Sequence, residues 1–309
     1  MSFFDEFDLR EVSRLDLMAK KVVEGFIIGL HKSPFHGFSV EFAEHRLYNQ
    51  GEATRNIDWK VYARTDKLFT KKFEEETNLR CQIVIDVSSS MFFPELKPDG
   101  PDKINKVRFS ALAAASLMNL LRRQRDAFGL SLFDEQIVQH TPCKNSRTHY
   151  NLMLSYLEKY MFSGDPGKKT SAADALHQIA DRIHKRSMVI IFSDMFESGE
   201  DEKKLFSALQ HLRHNKHEVI LFHTTHKRYE EDFEFRNRPY EFIDIESGER
   251  IKLQAGQIQE HYKQSIKTFM DELKQKCLQY RIDFVEADIE KGFNQILQSY
   301  LSKRARMST

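Results

Sequence analysis

Two unbroken apolar runs, each ending in aspartate, constrain this chain more than anything else in it. Cys81-Gln82-Ile83-Val84-Ile85-Asp86 leads into Val87-Ser88-Ser89-Ser90, and Met188-Val189-Ile190-Ile191-Phe192-Ser193-Asp194 repeats the theme about a hundred residues on. Short continuous apolar runs suit strands buried on both faces of a parallel sheet. In open parallel sheets, ligands gather at the carboxyl ends of the strands, where the strand order reverses. Asp86, Ser88, Ser90 and Asp194 placed there make an all-oxygen cluster carrying little charge. A hard divalent cation such as Mg²⁺ matches that donor set better than a nucleophilic mechanism does.

From residue 80 onward, strand and helix patterns alternate, the mark of a doubly wound α/β sheet. The first run precedes a helix over about Lys103 to Arg125. Phe128–Phe133 and Gln136–Gln139 read as strands turning at Asp134-Glu135, and helices follow near Thr148–Tyr160 and Ser171–Lys185. The second run, a helix near Glu202–His214 and the strand Val219–Phe222 continue the alternation. Residues 228–254 interrupt it with a predicted hairpin around Ser247-Gly248-Glu249. A helix over about Gln257 to Tyr280 has the apolar stripe Ile258, Tyr262, Ile266, Phe269, Met270, Leu273 and Cys277. Ile282–Val285 and a helix near Gly292–Leu301 close this unit, 80–309. Residues 1–79 read as an N-terminal extension: a helix about Leu9–Glu24, a Gly/Pro/His loop over Gly29–Gly37, and short strands at Phe38–Phe42 and Leu68–Phe73.

Composition narrows the function. A formal net charge of +1 over 309 residues argues against nucleic acid as a partner. The basic Lys303-Arg304-Ala305-Arg306 reads as a solvated end. Cys81, Cys143 and Cys277 form no CxxC pair and point to a reducing compartment, with Cys81 and Cys277 as packing residues. The acidic Met1–Glu6 start has no signal-type apolar core, and no run reaches the roughly 18–20 apolar residues of a membrane span. The expectation is a cytoplasmic protein.

Asp86-Val87-Ser88-Ser89-Ser90 has the DxSxS form and resembles the opening of the metal-ion-dependent adhesion site of von Willebrand factor A-type domains. The resemblance implies a threonine from a second loop, here Thr170, and an aspartate after a later strand, here Asp194. Further upstream, Gly37–Phe42, Arg46–Asn49 and Ile57-Asp58-Trp59-Lys60 through Arg64 resemble the bacterial family called domain of unknown function fifty-eight. Together the likenesses imply a von Willebrand A-like fold, with Mg²⁺ or Mn²⁺ bound directly by Ser88, Ser90 and Thr170 and through water by Asp86 and Asp194. They also imply a protein partner donating an acidic ligand, and an assembly role beside a MoxR-type AAA+ ATPase. Two positions depart from the pattern. Lys168-Lys169 stand where a glycine pair often precedes the threonine, and Met195-Phe196 follow Asp194 where many relatives have glycine.

Other constellations fare worse. A haloacid-dehalogenase-type phosphohydrolase wants a carboxylate two residues after Asp86, where Ser88 stands. No GxSxG elbow or GxxxxGK[ST] loop is present. His211, His214 and His217 read as a solvated helix end rather than a zinc site. Arg55, Asp58, Trp59, Lys60 and Arg64 read as a packing segment, Glu74–Glu76 as a solvated face. A hydrolase using the same metal would need a base, for which Asp174 is nearest in sequence, though a helix start explains that residue more simply. A scaffold with a lapsed metal site is a further alternative; separately, the plainest reading of the serines is that they merely cap the next loop or helix. The expectation is a non-enzymatic, metal-dependent interaction module.

Overall fold

The computed structural model describes residues 15–32, 45–47, 59–71, 79–97, 102–162, 172–195, 200–245 and 248–307. A central sheet is formed by β3 (Arg80–Asp86), β4 (Ala127–Phe133), β5 (Ile137–His140), β6 (Met188–Ser193), β7 (Glu218–Thr225) and β10 (Asp283–Asp288). Their spatial order is β10-β7-β6-β3-β4-β5, and every neighbour is parallel except β5, which turns back against β4. Counted in chain order from β3, the strands therefore lie 3-2-1-4-5-6, with the reversal between β3 and β6. The two runs that end in aspartate are those two central neighbours.

Alternation within the strands divides the core. Ile83, Ile85, Ile190, Phe192, Ile220 and Phe222 face α1 (Leu15–Lys32), α3 (Lys106–Arg123), α4 (Arg147–Phe162) and α8 (Asn294–Met307). Val84, Val189, Ile191, Val219 and Leu221 face α5 (Ala172–Arg182), α6 (Glu200–His214) and α7 (Ala255–Gln279). Burying each such side chain contributes on the order of 1.5–3 kcal/mol, so continuous apolar strands are stable only with helices on both faces. Gly129 on β4 has no room for a side chain: a Cβ there would sit 2.6 Å from the Thr141 carbonyl oxygen.

Helix α1 starts inside the predicted span but continues past Glu24 to Lys32, taking in residues expected to open a loop. Leu15, Ala19, Val22, Val23 and Phe26 form its buried stripe against α3. That packing outweighs the roughly 1 kcal/mol that Gly25 costs a helix. On α3, Ala113, Ala114 and Ala115 are fully buried, which lets the helices approach closely. In α7, Met270, Leu273 and Cys277 are buried, whereas Ile258, Tyr262, Ile266 and Phe269 are half-covered. In its first half, Tyr262 packs on Phe233 and donates to the Glu230 carbonyl at 3.0 Å.

The excursion forms the antiparallel hairpin β8 (Pro239–Ile243) and β9 (Arg250–Gln254), with Phe242 opposite Ile251. Upstream, β1 (His45–Leu47) pairs antiparallel with β2 (Phe69–Lys71), and α2 spans Trp59–Thr65. The predicted strand at Phe38–Phe42, Glu74–Glu76, and the side chains of Asp58 and Trp59 lie outside the described residues.

The basic C-terminal run is no solvated end. It is the last part of α8, where Lys303 bonds Glu218 at 2.7 Å and Arg306 bonds Asp283 at 2.8 Å, while Arg304 pairs with the buried Asp126. Among the described residues, no helix is long and apolar enough to cross a membrane.

Candidate functional site

The strand ladder delivers Asp86 as the last residue of β3, fully buried. Its carboxylate is fixed from two sides: the Ser88 backbone N–H donates to Oδ1 at 2.9 Å, and the Ser193 hydroxyl donates to Oδ2 at 2.7 Å. Burial, followed by the charge of Asp194, pushes the Asp86 carboxyl up to about 7 against these hydrogen bonds. Ser88 then caps a 3₁₀ turn over Ser89–Phe92, but its side chain makes no capping bond. The hydroxyl lies instead 3.1 Å from that of Ser90. The capping explanation for Ser88 therefore fails on geometry.

Two ligands at right angles on an octahedral Mg²⁺ with bonds of about 2.1 Å lie about 3.0 Å apart. The Ser88 and Ser90 hydroxyls, hydrogen-bonded to each other here at 3.1 Å, are also at the spacing of that edge. The donor set also suits a hard cation, being neutral oxygens backed by carboxylates. Among the described residues, no three His, Cys, Asp or Glu side chains gather as an alternative metal cluster.

Asp194 follows β6 directly, nearly inaccessible to solvent, and the Ser90 hydroxyl donates to it. Met195 comes next with φ of 50°, left-handed backbone that glycine adopts more readily than methionine. Its side chain is buried in the core, and its N–H donates to the Ser193 hydroxyl at 2.9 Å. Ser193 thus orients both the Asp86 carboxylate and the turn holding Asp194.

Sequence reasoning missed the principal partner of Asp194. Lys106, the first residue of α3, is 1% exposed and donates from Nζ to Asp194 Oδ2 at 2.8 Å and to Glu230 Oε1 at 2.5 Å. Glu230 belongs to one π-helical turn, Lys227–Glu231, after β7. Burial alone would raise the Asp194 carboxyl and lower the Lys106 ammonium. Their mutual attraction overcomes it, holding Asp194 below and Lys106 above their ordinary values. The available signal was a lysine in a first helical turn, the wrong end for a cation. Ser193, just before Asp194, carried no signal of its own.

Thr170 and Lys168-Lys169 lie outside the described residues. Of the five predicted ligands, the structure therefore brings together Asp86, Ser88, Ser90 and Asp194. Asp174 lies exposed in the first turn of α5. The histidines differ from expectation. His214 is exposed at the end of α6, but His217 is buried and accepts the Ser187 N–H at 3.3 Å. His211 meets His177 with 3.0 Å between Nδ1 atoms. His223 is buried beside Asp194, and burial, chiefly, pushes it down to about 4.

A family profile described as protein of unknown function DUF58 matches residues 44–271. This chain belongs to the DUF58 family. The match begins upstream of the sheet, at β1, and ends within α7. Among curated relatives, the uncharacterized proteins Rv1480 of Mycobacterium tuberculosis and Mb1516 of Mycobacterium bovis are each 26% identical over 180 residues, covering 58% of this chain and 55% of theirs. This DUF58 chain thus spans about half the length of the curated relatives it matches. Among solved structures, the conserved hypothetical protein BatB from Bacteroides thetaiotaomicron aligns over 74% of this chain and 98% of its own, with 12% identity and a TM-score of 0.47. The VWA domain of SpRpn10 aligns over 72% of this chain and 96% of its own, with 13% identity and a TM-score of 0.36. The fold assignment rests on the strand order: the von Willebrand A-like, doubly wound and mostly parallel sheet expected from the sequence is the sheet observed.

Proposed function

We propose that this chain is a non-enzymatic, metal-dependent protein-interaction module. The carrying observation is the pair of serine hydroxyls spaced for an octahedral cation at the reversal point of the sheet, beside an aspartate fixed by two hydrogen bonds. Ser88 and Ser90, with Thr170 supplied by the second loop, would hold Mg²⁺ or Mn²⁺, and Asp86 and Asp194 would act through its waters. Mg²⁺ so bound, with few anionic ligands, supplies a Lewis-acidic position for a carboxylate from a partner protein. Asp86 is spent on orienting the Ser88 loop, which suits a binding role better than proton transfer. The partner in this reading is a MoxR-type AAA+ ATPase or its client, in the cytoplasm. Three free cysteines support a reducing compartment.

Calorimetric titration of Mg²⁺ and Mn²⁺ into the wild type, Asp86→Ala and Ser88→Ala tests the reading, with circular dichroism confirming that each is folded. One site in the wild type, lost in both variants, is the expected result. A folded wild type that takes up neither ion would refute it. One observation favours a second reading, a scaffold that works without metal: Asp194 already holds the Lys106 ammonium.

A further inference from the structure

Metal binding leaves one buried cation to be explained. Lys106 stands at the N-terminus of α3, where the helix dipole disfavours positive charge, and its side chain is 1% exposed, where desolvation disfavours it again. Lysine is a costly choice for a residue that only completes the helix or the core. What compensates is a pair of carboxylates on different elements, Asp194 after β6 and Glu230 after β7, both bonded to one Nζ.

These two contacts are not equivalent. Asp194 is shared with the hydroxyl loop through Ser90, so it faces the place a divalent ion would take. Glu230 is fixed independently of that loop, its Oε2 accepting the His226 backbone N–H at 2.7 Å. The Phe93 ring, its centroid 5.9 Å from Nζ, offers the ammonium a further favourable neighbour. A lysine head is a compact charge on a flexible stem. It can lean toward either carboxylate without moving the helix.

We propose that Lys106 is a tethered cation competing with the divalent ion for Asp194, and that Glu230 is the seat to which Lys106 withdraws when that ion binds. The inference rests on the metal reading above and adds what sets its affinity. An ammonium on Asp194 and a divalent ion bound beside it through water repel each other in so dry a site. Lys106 is thereby pushed from Asp194 toward Glu230, which keeps the ammonium neutralised. In the absence of the ion, Lys106 keeps the Asp194 side of the site formed and offsets one of the two carboxylate charges there.

The test is a double-mutant cycle read by calorimetry with Mg²⁺ and Mn²⁺, using the wild type, Lys106→Gln, Glu230→Gln and the double variant. Glutamine at 106 keeps two N–H donors for the two carboxylates while removing the charge. Lys106→Gln is expected to bind about tenfold tighter than the wild type, and Glu230→Gln several-fold weaker. In the Lys106→Gln background the effect of Glu230→Gln should largely vanish, because Glu230 acts through Lys106. Equal affinity of Lys106→Gln and wild type would overturn the proposal and leave the metal reading standing. So would an undiminished Glu230→Gln effect in the double variant, the mark of simple through-space charge. If neither wild type nor any folded variant binds either ion, both readings fall. Should Lys106→Gln not fold, ¹⁵N-lysine NMR of the wild type decides. The Lys106 ammonium signal should move with Mg²⁺ saturation and stay fixed in Ser88→Ala, and a signal indifferent to saturating Mg²⁺ would refute the exchange.

Discussion

The two halves of the candidate site are built on opposite principles. The β3 half, comprising Asp86, Ser88 and Ser90, is the more local: its side-chain hydrogen bonds lie within two residues, apart from the Ser193 hydroxyl that steadies Asp86 and the bond from Ser90 to Asp194. Its two hydroxyls are neutral oxygens, backed by the buried Asp86 carboxyl. The β6 half is long-range: Asp194 is tied to Lys106 across 88 residues, and Lys106 to Glu230 across 124. It holds a buried ion cluster that joins a helix, a strand end and the excursion. In the proposed reading one half would receive the ligand, while the other is already satisfied by its own ion pairs.

The contrast makes its largest prediction for stability. Asp194→Ala should cost about 2–3 kcal/mol, a fall in melting temperature on the order of 5 °C, since the buried Lys106 ammonium keeps Glu230 but loses one of its two charge-assisted bonds. Denaturant titration measures this, and a near-neutral result would mean that Glu230 alone suffices and that the two halves differ little. By contrast, Ser88→Ala and Ser90→Ala should each shift stability by no more than about 1 kcal/mol, the net worth of one hydrogen bond. Their effect should appear in metal titrations instead. A loss of several kcal/mol from either serine would erase the distinction between a receiving half and a supporting one.

The smallest effect lies at the other end of the sheet and serves as a control for charge pairing away from the site. Burial works to raise the Glu218 carboxyl, but hydrogen bonds from Lys303 and Arg213 overcome it and hold the group below its ordinary value. A carboxyl depressed in the folded state binds fewer protons there than in the unfolded chain. Its contribution is therefore present above the unfolded value of about 4.5 and lost as pH falls through the folded one. Glu218→Gln should flatten the acid limb of a stability–pH curve below about pH 4.5 and leave metal binding unchanged. An unaltered acid limb would mean that these pairs, being partly exposed, are screened out.

Much of the fold was legible along the chain. The strands β3 and β6, the β4–β5 turn, the hairpin in the excursion and the long α7 all follow from apolar periodicity, which is a local property. The DxSxS loop was equally legible, because its geometry is made within a few residues of Asp86. What failed to show was packing that overrides local signals. Helix α1 runs through Gly25 and Gly29 because its stripe is covered by α3. His217 is buried although its neighbours His214 and Lys216 are exposed. The basic end of α8 finds Asp126, Glu218 and Asp283 on distant elements.

The sequence by itself determined that this chain would form a doubly wound sheet with an aspartate–serine loop at its centre. Continuous apolar strands permit little else, and a loop of three serines after a strand end has few geometries open to it. Tertiary structure alone decided what Asp194 would meet. Lys106 is unusual only in being a cation at a helix start, and Glu230 reads as one acidic residue in a charged segment, with no periodicity linking either to β6. Strand order brings the end of β6 beside the ends of β3 and β7, and the crossover into α3 places its first residue over that junction. Charges in separate segments become partners only when the sheet fixes their distance, and burial then makes the partnership obligatory.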